Sequence, residues 1–172
     1  MRNLLLTLVA AGSVLAANPR PVDASQFGEI PSALTIAKSS NKNEVAYAVA
    51  VDDACAPAGS APVHPYWRML EHGPNATEPL TSGEERAFGV EGQERSGDSV
   101  RFVVRGLPAR PITVHTARGD KGRCDATSSM SIAGTDARVS NVFVKVGFFG
   151  VKYIDLTGVA QTGAVVHERV SP

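Results

Sequence analysis

The most regular segment of this chain is EVAYAVAV, residues 44–51. Large apolar side chains alternate there with alanines, so a β-strand would carry the large ones on one face and the small ones on the other. A strand that is apolar on both faces is usually covered on both. We therefore expect residues 44–51 to form a buried strand inside a β domain.

Short strand patterns separated by turn residues continue along the rest of the chain. The predicted strands are residues 34–37, 44–51, 90–95, 99–105, 111–118, 124–132, 137–146, 151–157 and 165–170. One short helix of about two turns is expected where the capping box Thr81-Ser82-Gly83-Glu84 precedes Gly89. The pattern predicts an all-β, single antiparallel domain of about eight or nine strands. A small closed barrel and a two-sheet sandwich both fit, and successive hairpins favour the barrel.

The predicted hairpin between residues 137–146 and 151–157 has an aromatic tip, Gly147-Phe148-Phe149-Gly150. Glycines permit the backbone conformations of a tight turn. The two phenylalanine rings are expected to cap one end of the core.

The N-terminus has the pattern of a cleavable signal peptide over residues 1–17. Arg2 is the positive residue, an apolar stretch covers residues 4–15, and Ala16 and Ala17 provide the small residues before cleavage. The apolar stretch is too short to span a bilayer. Residues 18–33 contain three prolines and are expected to form an extended N-terminal arm, which leaves residues 34–172 as the β domain. An exported protein, periplasmic or extracellular, is the expectation.

The balance of charge is even, with 17 basic and 17 acidic residues. No block of like charge and no basic amphipathic helix is visible in the sequence. Nucleic acid is therefore not an expected partner, and the usual sequence signals for a membrane surface or a polyanion are missing. An unknown small molecule or another envelope protein remains as the partner.

The two cysteines, Cys55 and Cys124, both lie in the predicted exported part of the chain, where disulfides persist. A bond between them would close a loop of about 70 residues and stabilise the fold by about 4 kcal/mol. The alternative of free thiols or metal ligands lacks a C-x-x-C spacing and a nearby histidine. We predict a structural disulfide.

The best candidate for a ligand site is the YWRMLE run, residues 66–71, which includes the only tryptophan of the chain. Tyr66, Trp67, Arg68 and Glu71 combine aromatic surface, a guanidinium group and a carboxylate. The alternative is that Trp67 fills the core while Arg68 and Glu71 form ordinary ion pairs.

Catalytic and metal-binding signals are poor. The chain has no G-x-S-x-G, no H-E-x-x-H, no phosphate-binding glycine loop and no dinucleotide fingerprint. Of the four histidines only His64 and His72 lie near each other, and a metal site there would need a third ligand such as Glu71. We therefore predict no catalytic residue, no metal and no cofactor.

Several motifs resemble one family of bacterial exported proteins. They are Asn41-Lys42-Asn43-Glu44-Val45-Ala46-Tyr47, then residues 66–71 with Gly73, and Glu78-Pro79-Leu80. On these the chain resembles domain of unknown function 4833 over most of its predicted mature part. The resemblance implies a bacterial envelope protein and provides no catalytic or binding residues.

Two functional hypotheses follow from the sequence. The first is a non-catalytic β domain of the envelope that binds a small apolar molecule or another protein, or has a structural role. The second is an envelope hydrolase whose acid and base come from Glu71, His72, Glu84 or Glu85, near the Trp67 segment. The missing catalytic motifs favour the first.

Overall fold

The computed structural model describes residues 31–148 and 150–171. The signal peptide predicted over residues 1–17 and most of the predicted arm over residues 18–33 lie outside the described residues. The described part contains eleven strands and one short helix. They are β1 (Ser32–Lys38), β2 (Glu44–Val49), β3 (Val63–Arg68), β4 (Thr77–Pro79), α1 (Glu85–Phe88), β5 (Val90–Ser96), β6 (Ser99–Val104), β7 (Ile112–Arg118), β8 (Cys124–Ile132), β9 (Thr135–Gly147), β10 (Gly150–Ala160) and β11 (Val165–Val170).

Hydrogen bonds connect all eleven strands into one sheet. Its longest strand, β9, pairs along one side with β10, which in turn pairs with β11. The other side of β9 is shared, because its first residues pair with β8 and its later residues pair with β1. Two arms therefore leave β9, one running β8-β7-β6-β5 and the other β1-β2-β3-β4.

The predicted all-β class is confirmed, but its details need correction. The described strands number eleven rather than eight or nine, and the barrel prediction is wrong because the sheet does not close. The pairing is antiparallel except between β1 and β9, where Ile36 lies opposite Val142 in a parallel register. Strands β3 and β4 are not among the predicted strands, and β3 contains Pro65. Pro65 fits there because β4 pairs only with residues 66–68, so the ring faces no neighbouring strand on that side.

The apolar core lies between the two arms. Its largest fully buried side chains come from different strands and are Tyr47, Phe102, Ile112, Ile132 and Leu156. The rings of Tyr47 and Phe102 stack with centroids 6.0 Å apart, which joins β2 of one arm to β6 of the other. Among the described residues, every buried side-chain nitrogen or oxygen has a hydrogen-bond partner.

Strand β2 is buried on both faces, as its alternation of large and small side chains predicts. Val45, Ala46, Tyr47, Ala48 and Val49 are each no more than 1% exposed. Burial raises the pKa of Tyr47, and the nearby charge of Glu85 adds to this effect. The Tyr47 hydroxyl stays protonated and donates a hydrogen bond to the carbonyl oxygen of Phe88 in α1, at 2.9 Å.

Helix α1 is a single turn rather than the two turns expected. The predicted capping box is present, since the main-chain N–H and the hydroxyl of Thr81 both donate to Glu84 Oε2, at 2.9 and 2.7 Å. Phe88 at the end of α1 meets the indole ring of Trp67 edge to face, with centroids 5.8 Å apart. The helix thus lies against β2 and β3.

The predicted disulfide is confirmed. Cys55 and Cys124 are bonded, with their Cα atoms 5.4 Å apart. The bond joins the loop after β2 to the first residue of β8, and so links the two arms. Asp52 Oδ1 shapes this loop by accepting hydrogen bonds from the main-chain N–H groups of Ala54 and Ala56, both at 2.9 Å.

The β9–β10 hairpin forms where expected, but its tip does not cap the core. Phe148 is 96% exposed, and Val146 and Val151 beside it are 37% and 43% exposed. Phe149 lies outside the described residues. The earlier expectation is therefore wrong for Phe148, because the long hairpin carries its tip beyond the packed part of the sheet. Within the described chain, no helix is long and apolar enough to cross a membrane.

Candidate functional site

The sequence-predicted cluster divides between the two faces of β3. Trp67 is 5% exposed and belongs to the core, whereas Tyr66, which is 4% exposed, points to the opposite face of the strand. Lys38 covers the indole of Trp67, with its Nζ atom 4.0 Å from the ring centroid. Because adjacent strand residues face opposite ways, Tyr66 and Trp67 do not line one common cavity.

The two charged members of the predicted cluster have separate partners. Arg68 Nη1 lies 3.4 Å from Glu44 Oε2 on the neighbouring strand β2. Glu71 Oε1 accepts a long hydrogen bond of 3.5 Å from the main-chain N–H of Lys42, and the main-chain N–H of Glu71 donates to Asn43 Oδ1. These contacts fasten the end of β3 to the β1–β2 turn, and the ligand-binding role of the four residues remains a prediction.

The residues of the hydrolase hypothesis, Glu71, His72, Glu84 and Glu85, form no ion pair or side-chain hydrogen bond with one another in the described part of the chain. His64 belongs to the metal-site alternative. Burial lowers the pKa of His64. The exposed His72 lies 4.0 Å from Glu78 through its Nδ1 atom, and Glu84 is occupied by Thr81 in the capping box. In the described ranges, no group of three or more histidine, cysteine, aspartate or glutamate residues is arranged to hold a metal ion.

A larger feature lies on the outer face of the arm formed by β6, β7, β8 and β9. It is an open groove of about 920 Å³ whose lining includes Gln161 and Ala160, the last residue of β10. Three arginines line it, Arg101, Arg110 and Arg138. We call it the arginine groove.

The floor of the arginine groove is a row of directly opposed residues on four strands. Arg101 of β6 lies opposite Thr113 of β7, Thr113 lies opposite Ser129 of β8, and Ser129 lies opposite Arg138 of β9. Neighbouring strands are about 4.8 Å apart, so about 14 Å separate the backbones of Arg101 and Arg138. Two arginines therefore flank two small hydroxyl side chains across the width of the arm.

One arginine of the groove is fixed by protein partners. Arg110 Nη2 pairs with Glu168 Oε1 of β11, and Arg110 Nη1 donates to the carbonyl oxygen of Ser131 at 3.1 Å. The second oxygen of Glu168 accepts a hydrogen bond from the main-chain N–H of Ala133. The charge of Arg110 is thus neutralised by Glu168, and its side chain is held in place at the wall of the groove.

The other two arginines have no such partner. Across residues 31–148 and 150–171, neither Arg101 nor Arg138 makes an ion pair or a hydrogen bond through its side chain, and both are exposed. Asp136 on β9 contributes one carboxylate to the groove, and His115 lies with its Nδ1 atom 3.9 Å from Asp98 Oδ1. The lining thus carries these two arginines against one carboxylate, Asp136, and Glu94 of β5 lies directly opposite Arg101.

The arginine and hydroxyl side chains of the groove can form two kinds of hydrogen-bonded contact with a ligand. A guanidinium group can hold a carboxylate or a phosphate with two parallel hydrogen bonds. Threonine and serine hydroxyls both donate and accept, as the hydroxyl groups of a sugar require. Apolar side chains such as Met130 and Val159 also line the groove, so its charged contacts come from the arginines.

The arginine groove could not be found from spacing along the chain. Arg101, Thr113, Ser129 and Arg138 lie on four different strands and are brought together only by the pairing register. The sequence signal that each one gives is weak, since a polar residue at an alternate strand position usually marks a solvated face.

The fold is an all-β, disulfide-linked domain with an open groove lined by three arginines. Residues 34–169 match a family model described as Domain of unknown function (DUF4833), and the chain belongs to this family. The resemblance seen in the sequence is thereby confirmed. Neither the curated proteins nor the solved structures contain a match to the chain. The family description assigns no activity, so the function has to be argued from the groove itself.

Proposed function

We propose that this protein is an exported, non-catalytic binding module whose arginine groove holds an acidic carbohydrate chain. Export is supported by the leader pattern of residues 1–17 and by a disulfide, which persists in oxidising compartments. Because the family that the chain resembles consists of bacterial exported proteins, we place the protein in the cell envelope in this proposal. Carboxylated or phosphorylated carbohydrates are the ligand class that fits the groove.

The observation that carries the proposal is the row Arg101-Thr113-Ser129-Arg138. Two arginines whose backbones lie about 14 Å apart suit a chain with repeated negative charges rather than a single small anion. The hydroxyl groups between them match the neutral hydroxyls of a sugar. An open groove, rather than an enclosed cavity, gives a chain access from solvent.

The groove changes the ligand expected from sequence alone. The sequence hypothesis named a small apolar molecule or a protein, and the described interior is filled by the side chains of the two arms. Apolar ligands usually need a concave site lined mainly by apolar side chains. The arginines and hydroxyl groups in the lining of the arginine groove support a charged sugar instead.

Calorimetric titration with an oligogalacturonate tests the proposal, with a neutral malto-oligosaccharide as the comparison ligand. We expect Arg101→Ala and Arg138→Ala each to lower the affinity about tenfold, because each removes a charge-assisted contact. Arg86→Ala is the matched control, since Arg86 is also exposed but lies on α1, away from the groove. Added salt should weaken the binding.

The anionic group of the natural ligand is resolved by a second titration with a glycerol-phosphate oligomer. Stronger binding of this oligomer would assign the charge to phosphate, and stronger binding of the oligogalacturonate would assign it to carboxylate. Equal binding by the wild-type protein and the Arg101→Ala/Arg138→Ala double variant would overturn the proposed function.

A further inference from the structure

The tip of the β9–β10 hairpin, residues 145–152 without Phe149, concentrates the exposed apolar surface of the described chain. Of the four large apolar side chains with high exposure, three belong to it, Val146, Phe148 and Val151. Val146 and Val151 lie directly opposite each other in the hairpin register. They form a paired apolar layer directly below Phe148.

Lysines surround this apolar layer on the side nearer the domain. Lys145 precedes Val146 on β9, and Lys152 follows Val151 on β10. The stem of Lys152 runs beside Gly147, where an added Cβ atom would meet Lys152 Cγ at 3.0 Å. A lysine whose methylene stem follows apolar surface can keep its ammonium group in a polar layer.

From these observations we infer that the hairpin tip docks this protein on the surface of a lipid bilayer that carries anionic headgroups. Phe148 enters the boundary between headgroups and acyl chains, Val146 and Val151 follow it, and Lys145 and Lys152 stay among the headgroup phosphates. Three strand residues span about 10 Å between Phe148 and Lys145. This length matches the depth of about 5–10 Å reached by interfacial apolar segments.

Charge complementarity selects an anionic lipid surface over a protein partner of mixed charge. No acidic residue occurs between Lys145 and Tyr153 in the sequence. The next one, Asp155, is neutralised by Arg169, whose Nε and Nη2 atoms donate to its two oxygens at 2.7 and 2.9 Å. Each lysine near an anionic surface strengthens such binding moderately.

The root of the tip is anchored to the neighbouring strand. The main-chain N–H of Val146 donates to Ser39 Oγ at 3.0 Å, and the main-chain N–H of Ser39 donates to the carbonyl oxygen of Val144. These bonds join the hairpin to the end of β1. The tip is therefore presented on a fixed support, which lowers the entropy lost on docking.

Lipid docking and the arginine groove are compatible on one molecule. Gly147 follows Arg138 by nine positions on β9, which is about 30 Å along an extended strand. The tip and the groove thus occupy opposite parts of the same hairpin. Docking through the tip leaves the groove away from the lipid surface and open to its ligand.

Co-sedimentation with lipid vesicles tests this inference. Vesicles of phosphatidylcholine with added phosphatidylglycerol are compared with vesicles of phosphatidylcholine alone. We expect the protein to bind the anionic vesicles. Phe148→Ser should lower the affinity for them about tenfold, because a phenylalanine that is buried in the lipid is replaced by a polar side chain. Lys145→Gln and Lys152→Gln should each lower binding about fivefold on anionic vesicles only.

Val165→Ser is the matched control, since Val165 is also an exposed apolar residue, at 72%, but opposes Val159 at the far end of the hairpin. All variants keep the same N-terminus, so any lipid binding by residues 1–30 is common to them. Binding that Phe148→Ser leaves unchanged would overturn the inference. So would a self-association of the protein, seen without lipid, that Phe148→Ser abolishes.

Discussion

The side-chain amide of Gln93 in β5 bonds to both main-chain polar groups of Val63 in β3. The N–H of Val63 donates to Gln93 Oε1 at 2.8 Å, and Gln93 Nε2 donates to the carbonyl oxygen of Val63 at 3.1 Å. A glutamine side chain therefore occupies the position where a further strand would pair. The two arms of the sheet meet here without main-chain pairing between β3 and β5, and the sheet stays open.

Removing this amide should destabilise the protein. Val63 is 2% exposed, so Gln93→Ala leaves a buried donor and a buried acceptor without partners. We expect the free energy of unfolding to fall by about 1–3 kcal/mol. Gln93→Glu, which keeps the acceptor and loses the donor, should retain part of this stability. Gln161→Ala, at an exposed site, serves as the control. Urea unfolding measures all four proteins, and an unchanged midpoint for Gln93→Ala would contradict the account.

The disulfide should provide a large share of the stability. Replacing Cys55 and Cys124 together by alanine removes the bond that joins the two arms across a separation of 69 residues. The expected loss in the free energy of unfolding is about 4 kcal/mol. Reduction of the wild-type protein by dithiothreitol should give a similar shift of the urea midpoint. Wild-type stability in the double variant would argue against this role.

Even the methyl group of alanine at position 158 should destabilise the protein. A Cβ atom there would lie 2.7 Å from the carbonyl oxygen of Arg138 and 2.8 Å from Ile132 Cδ1. Since one of these neighbours is backbone, Gly158→Ala should cost about 1–3 kcal/mol. Gly83→Ala is the matched control, because the nearest atom to its Cβ would be Thr81 Oγ1 at 4.0 Å. Thermal unfolding distinguishes the two, and equal melting temperatures would refute the prediction.

The stability should also decrease in acid through Glu84. Burial alone would raise the pKa of Glu84, but hydrogen bonds from Thr81 and Trp67 and the charge of Lys38 outweigh it, so the pKa is lowered from 4.5. A carboxyl group whose pKa is lower in the folded state stabilises that state above its unfolded pKa, and this contribution disappears as the pH falls through the folded pKa.

We therefore expect Glu84→Gln to cost stability at neutral pH and to cost less as the pH falls below about 4.5. Chemical unfolding of the wild-type and variant proteins across this acid range measures the difference. Asp120→Asn, at an exposed turn residue, provides the control. A difference between the wild-type protein and Glu84→Gln that stays constant with pH would contradict this mechanism.

Much of the fold could be predicted because its signals are local. The alternation of valine and alanine in residues 44–51 predicts the doubly buried β2, and the Thr81–Glu84 capping box predicts the start of α1. The disulfide followed from cysteine count and compartment. The openness of the sheet could not be predicted, because it depends on where β3 and β5 meet in space and on the single side chain of Gln93 between them.

The candidate site was less accessible to sequence reasoning. The YWRMLE run is conspicuous in composition, yet alternation along β3 divides Tyr66 from Trp67. Arg101 and Arg138 are inconspicuous in sequence and are aligned only through two intervening strands. Local composition therefore pointed to residues 66–71, whose side chains contact other residues of the protein. The groove instead depends on how strands that are distant in sequence are paired.

The most direct test of the arginine groove is a nuclear magnetic resonance titration of isotope-labelled protein with the oligogalacturonate. Shifts should concentrate on the outer-face residues of β6 to β9, and the side-chain Nε–H signals of Arg101 and Arg138 should move most. The indole N–H of Trp67, which is buried, should stay unmoved. Shifts confined to the Trp67 segment, or no shifts at any site, would contradict the proposed function.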